Sequence, residues 1–228
     1  MKSNVEKSDA EIKRDVLSEL EYEPSIKVTN IGVLVKDGVV TLNGYATSYS
    51  EKWEAVRAVK RVAGVTAIAD DIEIKLLDSL CRTDGDIAAE VANRFNWSPT
   101  TPAGAVTVTV REGWVTLEGQ LEWAYQKVTA EEAVRYLAGV KGVTNLIKIA
   151  PILKPDEVES AIGTAFERNA LLDAAKIEVE TSGNTVILRG KARNHAEREE
   201  AERIAWAAPG VSWVDNQIAV EWSLDLDR

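Results

Sequence analysis

Apolar residues recur with a spacing of four in three separate stretches of the chain. This spacing places the apolar side chains on one face of a helix, so each stretch predicts an amphipathic helix. Ser8 precedes Glu11 by three residues, the spacing of a capping box, which predicts where the first helix begins. The three apolar stripes are Ile12, Val16, Leu20; Ile87, Val91, Phe95; and Val158, Ile162, Phe166.

Each predicted helix is followed by two short stretches in which apolar and polar residues alternate, as expected for strands with one buried face. A two-residue turn signal separates the stretches of each pair, so each pair predicts a β-hairpin. The turn signals are Asp37-Gly38, Glu112-Gly113 and Gly183-Asn184. A second helix and a final strand follow each hairpin. The pattern predicts an α+β fold in which a three-stranded mixed sheet is covered on one face by two helices.

This helix, strand, strand, helix, strand unit occurs three times and predicts an internal repeat. The first and second copies align with a constant offset of 75 residues, and the second and third copies with an offset of 71. We therefore predict module 1 at residues 8–76, module 2 at residues 83–151 and module 3 at residues 154–222. Each module is near the smallest size that sustains a core, so we expect the modules to pack on one another.

One glycine recurs at the end of the V-x-L-x-G motif in every module. Gly44, Gly119 and Gly190 occupy this position. We expect them to end the second strand, where a side chain would obstruct the turn towards the next helix.

The combination of a short helix, the V-x-L-x-G strand, a charged helix and a Gly-Val turn resembles the BON domain. A last strand with Asp70, Asn145 or Asn216 near its start completes the pattern. The BON family is named after bacterial osmotic-stress and nodulation proteins. The resemblance covers nearly the whole chain, and it implies a non-enzymatic module that binds phospholipid surfaces or proteins.

Charge and hydropathy limit the classes of partner. The net charge of −10 argues against nucleic acid, whose phosphates require clustered lysine and arginine. No run of 18 apolar residues predicts a transmembrane segment. The N-terminal residues hold no signal-peptide core, so we expect a cytoplasmic chain as written, or a periplasmic one if an export signal has been removed.

The residues favour neither catalysis nor a metal or cofactor site. The chain has one histidine, His195, and one cysteine, Cys81, so a metal site built from several His and Cys ligands is excluded. No phosphate-binding glycine loop of the G-x-x-x-x-G-K type occurs. We therefore predict no catalytic residues, no metal and no cofactor.

Four tryptophans are the candidate binding residues. Trp53 aligns with Glu199 of module 3, and Trp206 aligns with Arg135 of module 2, whereas a core position would not accept a charged residue. Trp123 and Trp114 align with polar residues in module 3 in the same way. We expect these side chains at module surfaces, where they either pack modules together or bind a lipid or protein partner.

We therefore expect a non-catalytic triple-BON protein that binds phospholipid or a protein in bacterial envelope or osmotic-stress physiology. The alternative is a soluble cytoplasmic interaction scaffold or holdase-like stress protein that does not bind lipid. The sequence leaves the oligomeric state open.

Overall fold

The computed structural model describes residues 7–102, 104–150 and 154–220. The first third of this chain contains α1 (Asp9–Tyr22), β1 (Ile31–Lys36), β2 (Val39–Ala46), α2 (Tyr49–Lys60) and β3 (Ala67–Ile74). The second contains α3 (Asp84–Trp97), β4 (Val106–Arg111), β5 (Trp114–Leu121), α4 (Ala124–Arg135), β6 (Gly142–Asn145) and β7 (Lys148–Ile149). The third contains α5 (Pro155–Glu167), β8 (Ile177–Ser182), β9 (Thr185–Ala192), α6 (His195–Trp206), β10 (Trp213–Asn216) and β11 (Ala219–Val220).

The strands form three mixed sheets, and the predicted α+β fold class is confirmed. In module 1, β2 is the central strand, antiparallel to β1 and parallel to β3. In module 3, β9 is central, antiparallel to β8 and parallel to β10 and β11. The residues 151, 221 and 222 at the predicted module ends lie outside the described residues.

The last strand is continuous in module 1 but divided in two in modules 2 and 3. At the break, the Asn145 side chain accepts a hydrogen bond from the Ile147 N–H (3.2 Å). The Asn216 side chain accepts one from the Ile218 N–H at the same distance. Each asparagine also donates to the backbone of the preceding helix, to the carbonyl of Lys127 or Arg198. These contacts fix the final strand against the second helix of the module.

The described chain divides into two compact units. The first consists of the residues up to Val91 together with Thr109–Thr116 and Ala133–Thr144. The second consists of Ala92–Val108, Leu117–Glu132 and the residues from Asn145 onward. Module 2 therefore contributes to both units.

The predicted apolar stripes form the centre of the cores. All nine stripe residues are buried. In module 1 the α1 stripe packs in one cluster with residues of α2 and with one face of the sheet. The equivalent cluster in module 3 contains Phe166, the largest of its fully buried side chains. Two helices thus cover a single face of each of these sheets.

The predicted hairpin turns are present, but the third differs in its backbone geometry. Asp37 (φ 52°) and Gly38 (φ 75°) both adopt positive φ, which is the type I′ pattern. In module 3 only Gly183 does so (φ 60°), as in a type II′ turn. Asn184 does not take the left-handed conformation, because a type II′ turn requires positive φ at its first central residue alone.

The expectation that Gly44, Gly119 and Gly190 end the second strand is wrong as well. Each of the strands β2, β5 and β9 continues for two residues beyond its glycine. The glycines are needed for a different reason. A Cβ atom at Gly44 would lie 2.1 Å from the carbonyl oxygen of Asn30, where the chain enters the neighbouring strand.

No helix among the described residues is both long enough and apolar enough to cross a membrane. Within the same residues, no group of three or more His, Cys, Asp or Glu side chains could hold a metal ion.

Candidate ligand-binding groove

Trp53 lies on α2, where it is half-buried between two arginines. The guanidinium of Arg135, from α4, lies 3.5 Å from the centre of the indole ring, and that of Arg57 lies 5.2 Å from it. Tyr136 adds a second contact in the same place, because its hydroxyl donates to Glu54 (3.2 Å). Trp53, Glu54, Arg135 and Tyr136 form the first junction, at which module 1 meets module 2 within the first unit.

Trp114 lies on the sheet face that points away from the helices. Its indole N–H donates to the hydroxyl of Thr144 (2.7 Å), and its ring covers Gly142 so closely that a Cβ there would lie 2.5 Å from ring atoms. About half of the side chain remains exposed (51 %). The exposed surface of Trp114 is therefore held in a fixed orientation.

Trp123 and Trp206 belong to the second unit. Trp123 is half-buried, and its ring centre lies 6.3 Å from that of Tyr125. Trp206, the last residue of α6, packs in part against the core of module 3. Trp206 also lines a groove between module 2 and module 3, whereas Trp123 does not.

The groove lies between module 2 and module 3 within the second unit, and its volume is about 710 Å³. This volume is within the range of about 300–1,000 Å³ that is usual for small-molecule sites. Its lining includes five large apolar side chains: Val128, Ile147, Ile149, Trp206 and Trp213. We call it the second-junction groove.

Two hydrogen bonds hold the two sides of the groove together. The Asn184 side-chain amide, in the β8–β9 turn, donates to the carbonyl of Ile149 (3.1 Å). The Gly210 N–H, after α6, donates to the carbonyl of Glu122 (2.9 Å). The groove is thus built on a defined contact between the two modules.

The internal alignment explains why this junction is open. Val128 occupies the position that Trp53 has in module 1, and Trp206 occupies the position that Arg135 has in module 2. The same two helix positions therefore meet at both junctions. The indole of Trp53 occupies the space beside Arg135, whereas the smaller Val128 leaves space beside Trp206.

Two lysines give the groove its charge. Lys127 and Lys148 line it, and neither side chain forms an ion pair with any other described residue. The chain as a whole carries a net charge of −10, so two lysines beside an apolar wall, with no ion-pair partner among the described residues, are a local exception. The groove can accept a ligand that combines an apolar body with an anionic group.

Sequence reasoning found Trp206 but missed the rest of the groove. Trp213, the two lysines and Val128 were not among the predicted site residues. The position of Trp213 has a counterpart in module 2. Trp213 pairs with Thr185 on the neighbouring strand, and Thr185 aligns with Trp114. Modules 2 and 3 therefore carry a tryptophan on different strands of the equivalent pair. Tyr22 and Trp97 were missed too. They align with each other, at the ends of α1 and α3, and are 85 % and 88 % exposed.

His195 and Cys81 are both exposed, and neither lines the groove. His195 is the first residue of α6, beside the capping Asn194.

Comparison with known proteins places these observations in a family. The family model described as BON domain matches residues 8–75, 83–151 and 155–221. Osmotically-inducible protein Y of Escherichia coli strain K12 is 31 % identical over 144 residues, which are 61 % of this chain and 72 % of that protein. Two solved structures of CdsD, a structural protein of the Type III secretion system of Chlamydia trachomatis, are similar at low level. The first is 14 % identical over 91 % of both chains, with a TM-score of 0.27. The second, of the C-terminal domain, is 13 % identical over 94 % of this chain and all of that one, with a TM-score of 0.26.

Proposed function

The chain belongs to the BON domain family, and we propose that it is a non-catalytic binding protein of bacterial osmotic-stress physiology that binds anionic phospholipid. The observation that carries the proposal is the second-junction groove, in which apolar walls occur together with two lysines that form no ion pair with another described residue. The E. coli relative is named for osmotic induction, which supports the physiological setting.

The chemistry of the groove suits each part of a phospholipid. Val128, Ile147 and Ile149 offer aliphatic surface to the acyl region. Trp206 and Trp213 have the amphipathic rings that are enriched where apolar and aqueous regions meet. Lys127 and Lys148 each supply a compact positive charge for the phosphate group. Because the rest of the protein is acidic, binding depends on this site and not on a general attraction to the membrane surface.

The sharpest test is Val128→Trp, which places in the groove the indole that the first junction already accommodates. We expect the variant to fold, because Trp53 stands at the equivalent position. Flotation with vesicles that contain an anionic phospholipid should recover wild-type protein and at least roughly fivefold less of the variant. Replacing either lysine by glutamine should weaken binding by about fivefold, as expected for about 1 kcal/mol per charge near an anionic surface.

Glu199→Trp is the matched control, because residue 199 aligns with residue 128 but does not line the groove. It adds the same side chain and should leave vesicle binding unchanged. If Val128→Trp binds anionic vesicles as the wild type does, or if the wild type fails to float with them at low salt, the proposal is wrong.

A second candidate function is a scaffold or holdase that binds proteins and not lipid. The exposed aromatic side chains of Tyr22 and Trp97 favour it, because two modules present a large apolar group at the same position. Suppression of the aggregation of a denatured client, lost in a Tyr22→Ser, Trp97→Ser variant and retained in Val128→Trp, would support this function.

A further inference from the structure

Module 1 and module 3 differ in how the space between their two helices is filled. In module 1, Arg61 at the end of α2 bridges to α1. Its Nε donates to Glu19 (2.9 Å), and its Nη2 lies 3.5 Å from Glu23. These contacts raise the pKa of Arg61, and the hydrogen bond to Glu19 contributes most. The ion pairs span the outer surface between the two helices.

Module 3 lacks all three of these charged groups. Ala165 aligns with Glu19, Asn169 with Glu23, and Ala207 with Arg61. Between α5 and α6 the structure has instead a cleft of about 390 Å³, with Ile162, Ile204 and Ala208 among its lining residues. We call it the α5–α6 cleft. It shares no residue with the second-junction groove.

Charged groups at the cleft are arranged asymmetrically. Arg203 donates to Glu200 through Nε (2.7 Å) and Nη2 (2.6 Å), and Asn169 donates to the same carboxylate (2.7 Å). The hydrogen bonds from Arg203 are the main reason that the pKa of Glu200 falls to about 2. Arg168 also lines the cleft, and its guanidinium forms no hydrogen bond or ion pair with another described residue. One cation at the cleft is thus neutralised and one is available.

We propose that the α5–α6 cleft binds a fatty acid, with the aliphatic chain between the helices and the carboxylate on Arg168. The volume lies at the lower end of the range for small-molecule sites, which suits one chain and not the two chains of a phospholipid. Each methylene removed from water contributes about fourfold in affinity. Arginine suits the head group because its planar fork matches a carboxylate.

The test is calorimetric titration of the full chain with laurate below its micelle concentration. We expect one laurate per chain and roughly tenfold weaker binding by Arg168→Gln, because a hydrogen-bonded ion pair is lost. Dodecyltrimethylammonium, which has the same chain length and the opposite charge, should bind at least about tenfold more weakly than laurate.

A double variant tests the cleft itself. Ala165→Glu with Ala207→Arg places in module 3 the ion pair that module 1 already holds, and it should abolish laurate binding without lowering the melting temperature. Arg168→Gln provides an independent test if the double variant does not fold. Equal laurate affinity in the wild type and both variants, or equal binding of the cationic amphiphile, would overturn the proposal.

This inference does not depend on the proposed phospholipid function, and the variants separate the two. Val128→Trp should lose vesicle binding and keep laurate binding. Arg168→Gln should weaken laurate binding and leave vesicle binding unchanged.

Discussion

At the scale of single residues, the backbone explains the recurrent glycine better than the sequence pattern does. Gly44 and Gly190 adopt φ values of 104° and 123°, which side-chain-bearing residues rarely reach. A Cβ at Gly190 would lie 2.0 Å from the carbonyl oxygen of Lys176, just before β8. The sequence identified the glycines as necessary but assigned them to a turn. The close approach of a neighbouring backbone segment leaves no mark on the local pattern, so it could not be predicted.

Gly44→Ala is expected to destabilise the protein by at least about 2 kcal/mol, because both the positive φ and the contact with the Asn30 carbonyl oppose a Cβ. Thermal unfolding followed by circular dichroism measures the effect. Gly163→Ala is the matched control, since Gly163 lies inside α5 and a Cβ there would meet no atom within 4 Å beyond the backbone of its own helix. That variant should be more stable than the wild type by about 0.5–1 kcal/mol. Equal melting temperatures for the two variants would contradict this account.

At the scale of elements, the first helix of a module holds the hairpin turn. Asp9, the first residue of α1, accepts hydrogen bonds from the N–H groups of Asp37 (2.9 Å) and Gly38 (3.0 Å). Asp84 makes the same pair of contacts in module 2, both at 2.8 Å. Module 3 has Pro155 at this position, and there the turn changes type. The loss of the carboxylate and the change of turn thus occur together.

A second tie joins the start of the second helix to the loop before the hairpin. The buried carboxylate of Glu51 accepts hydrogen bonds from the N–H groups of Lys27 (2.8 Å) and Thr47 (2.7 Å). In module 3 the carboxylate of Glu197 accepts the equivalent hydrogen bond from the Asp173 N–H (2.9 Å). Glu51 follows Ser48, and Glu197 follows Asn194, by the three residues of a capping box, which predicts that a helix starts there. The spacing does not predict the burial of the glutamate, because the loop that it binds is distant in sequence.

Glu197→Gln tests this tie through its dependence on pH. Desolvation raises the pKa of Glu197, but the hydrogen bonds from Arg193 and Asp173 outweigh it, so the pKa in the folded protein is lowered. Because the pKa is lowered in the folded protein, the ionised carboxylate stabilises the fold above the unfolded-state pKa of about 4.3. This contribution is lost as the pH falls through the folded-state pKa. The variant should be less stable by up to about 1 kcal/mol at pH 7, because Arg193 is half exposed. The difference should shrink progressively as the pH falls below about 4.3.

Thermal melts of both proteins between about pH 3 and pH 7 measure this difference. Gln126 occupies the equivalent position in module 2, so the fold accepts the amide. Glu199→Gln, on the exposed face of the same helix, is the control and should follow the wild type. A constant difference between Glu197→Gln and the wild type across the range would show that the ionised carboxylate is not the cause.

At the scale of the whole molecule, the repeat predicted the fold but not the site. Three copies of one pattern fix the order of helices and strands, because each copy must bury the same apolar stripe. The site depends on which surfaces of successive modules meet, and this is decided by few side chains. Val128 in place of Trp53 exchanges one apolar residue for another in the internal alignment, yet it accompanies an open groove. Surface pairing of this kind has no periodicity from which it could be predicted.

The contact between Trp53 and Arg135 is expected to carry much of the energy of the first junction. Arg135 is buried (5 % exposed), and its guanidinium lies 3.5 Å from the ring centre, so the cation–π attraction is weakly screened. A double-mutant cycle with Trp53→Leu and Arg135→Met, measured by urea unfolding, should give a coupling energy of about 1–2 kcal/mol. The pair of Trp53 with Arg57 is the internal control, since Arg57 lies farther away, at 5.2 Å, and is half exposed. Its coupling should be about 0.5 kcal/mol. If the two coupling energies are equal, the ring does not distinguish the buried cation from the exposed one, and this account of the first junction is wrong.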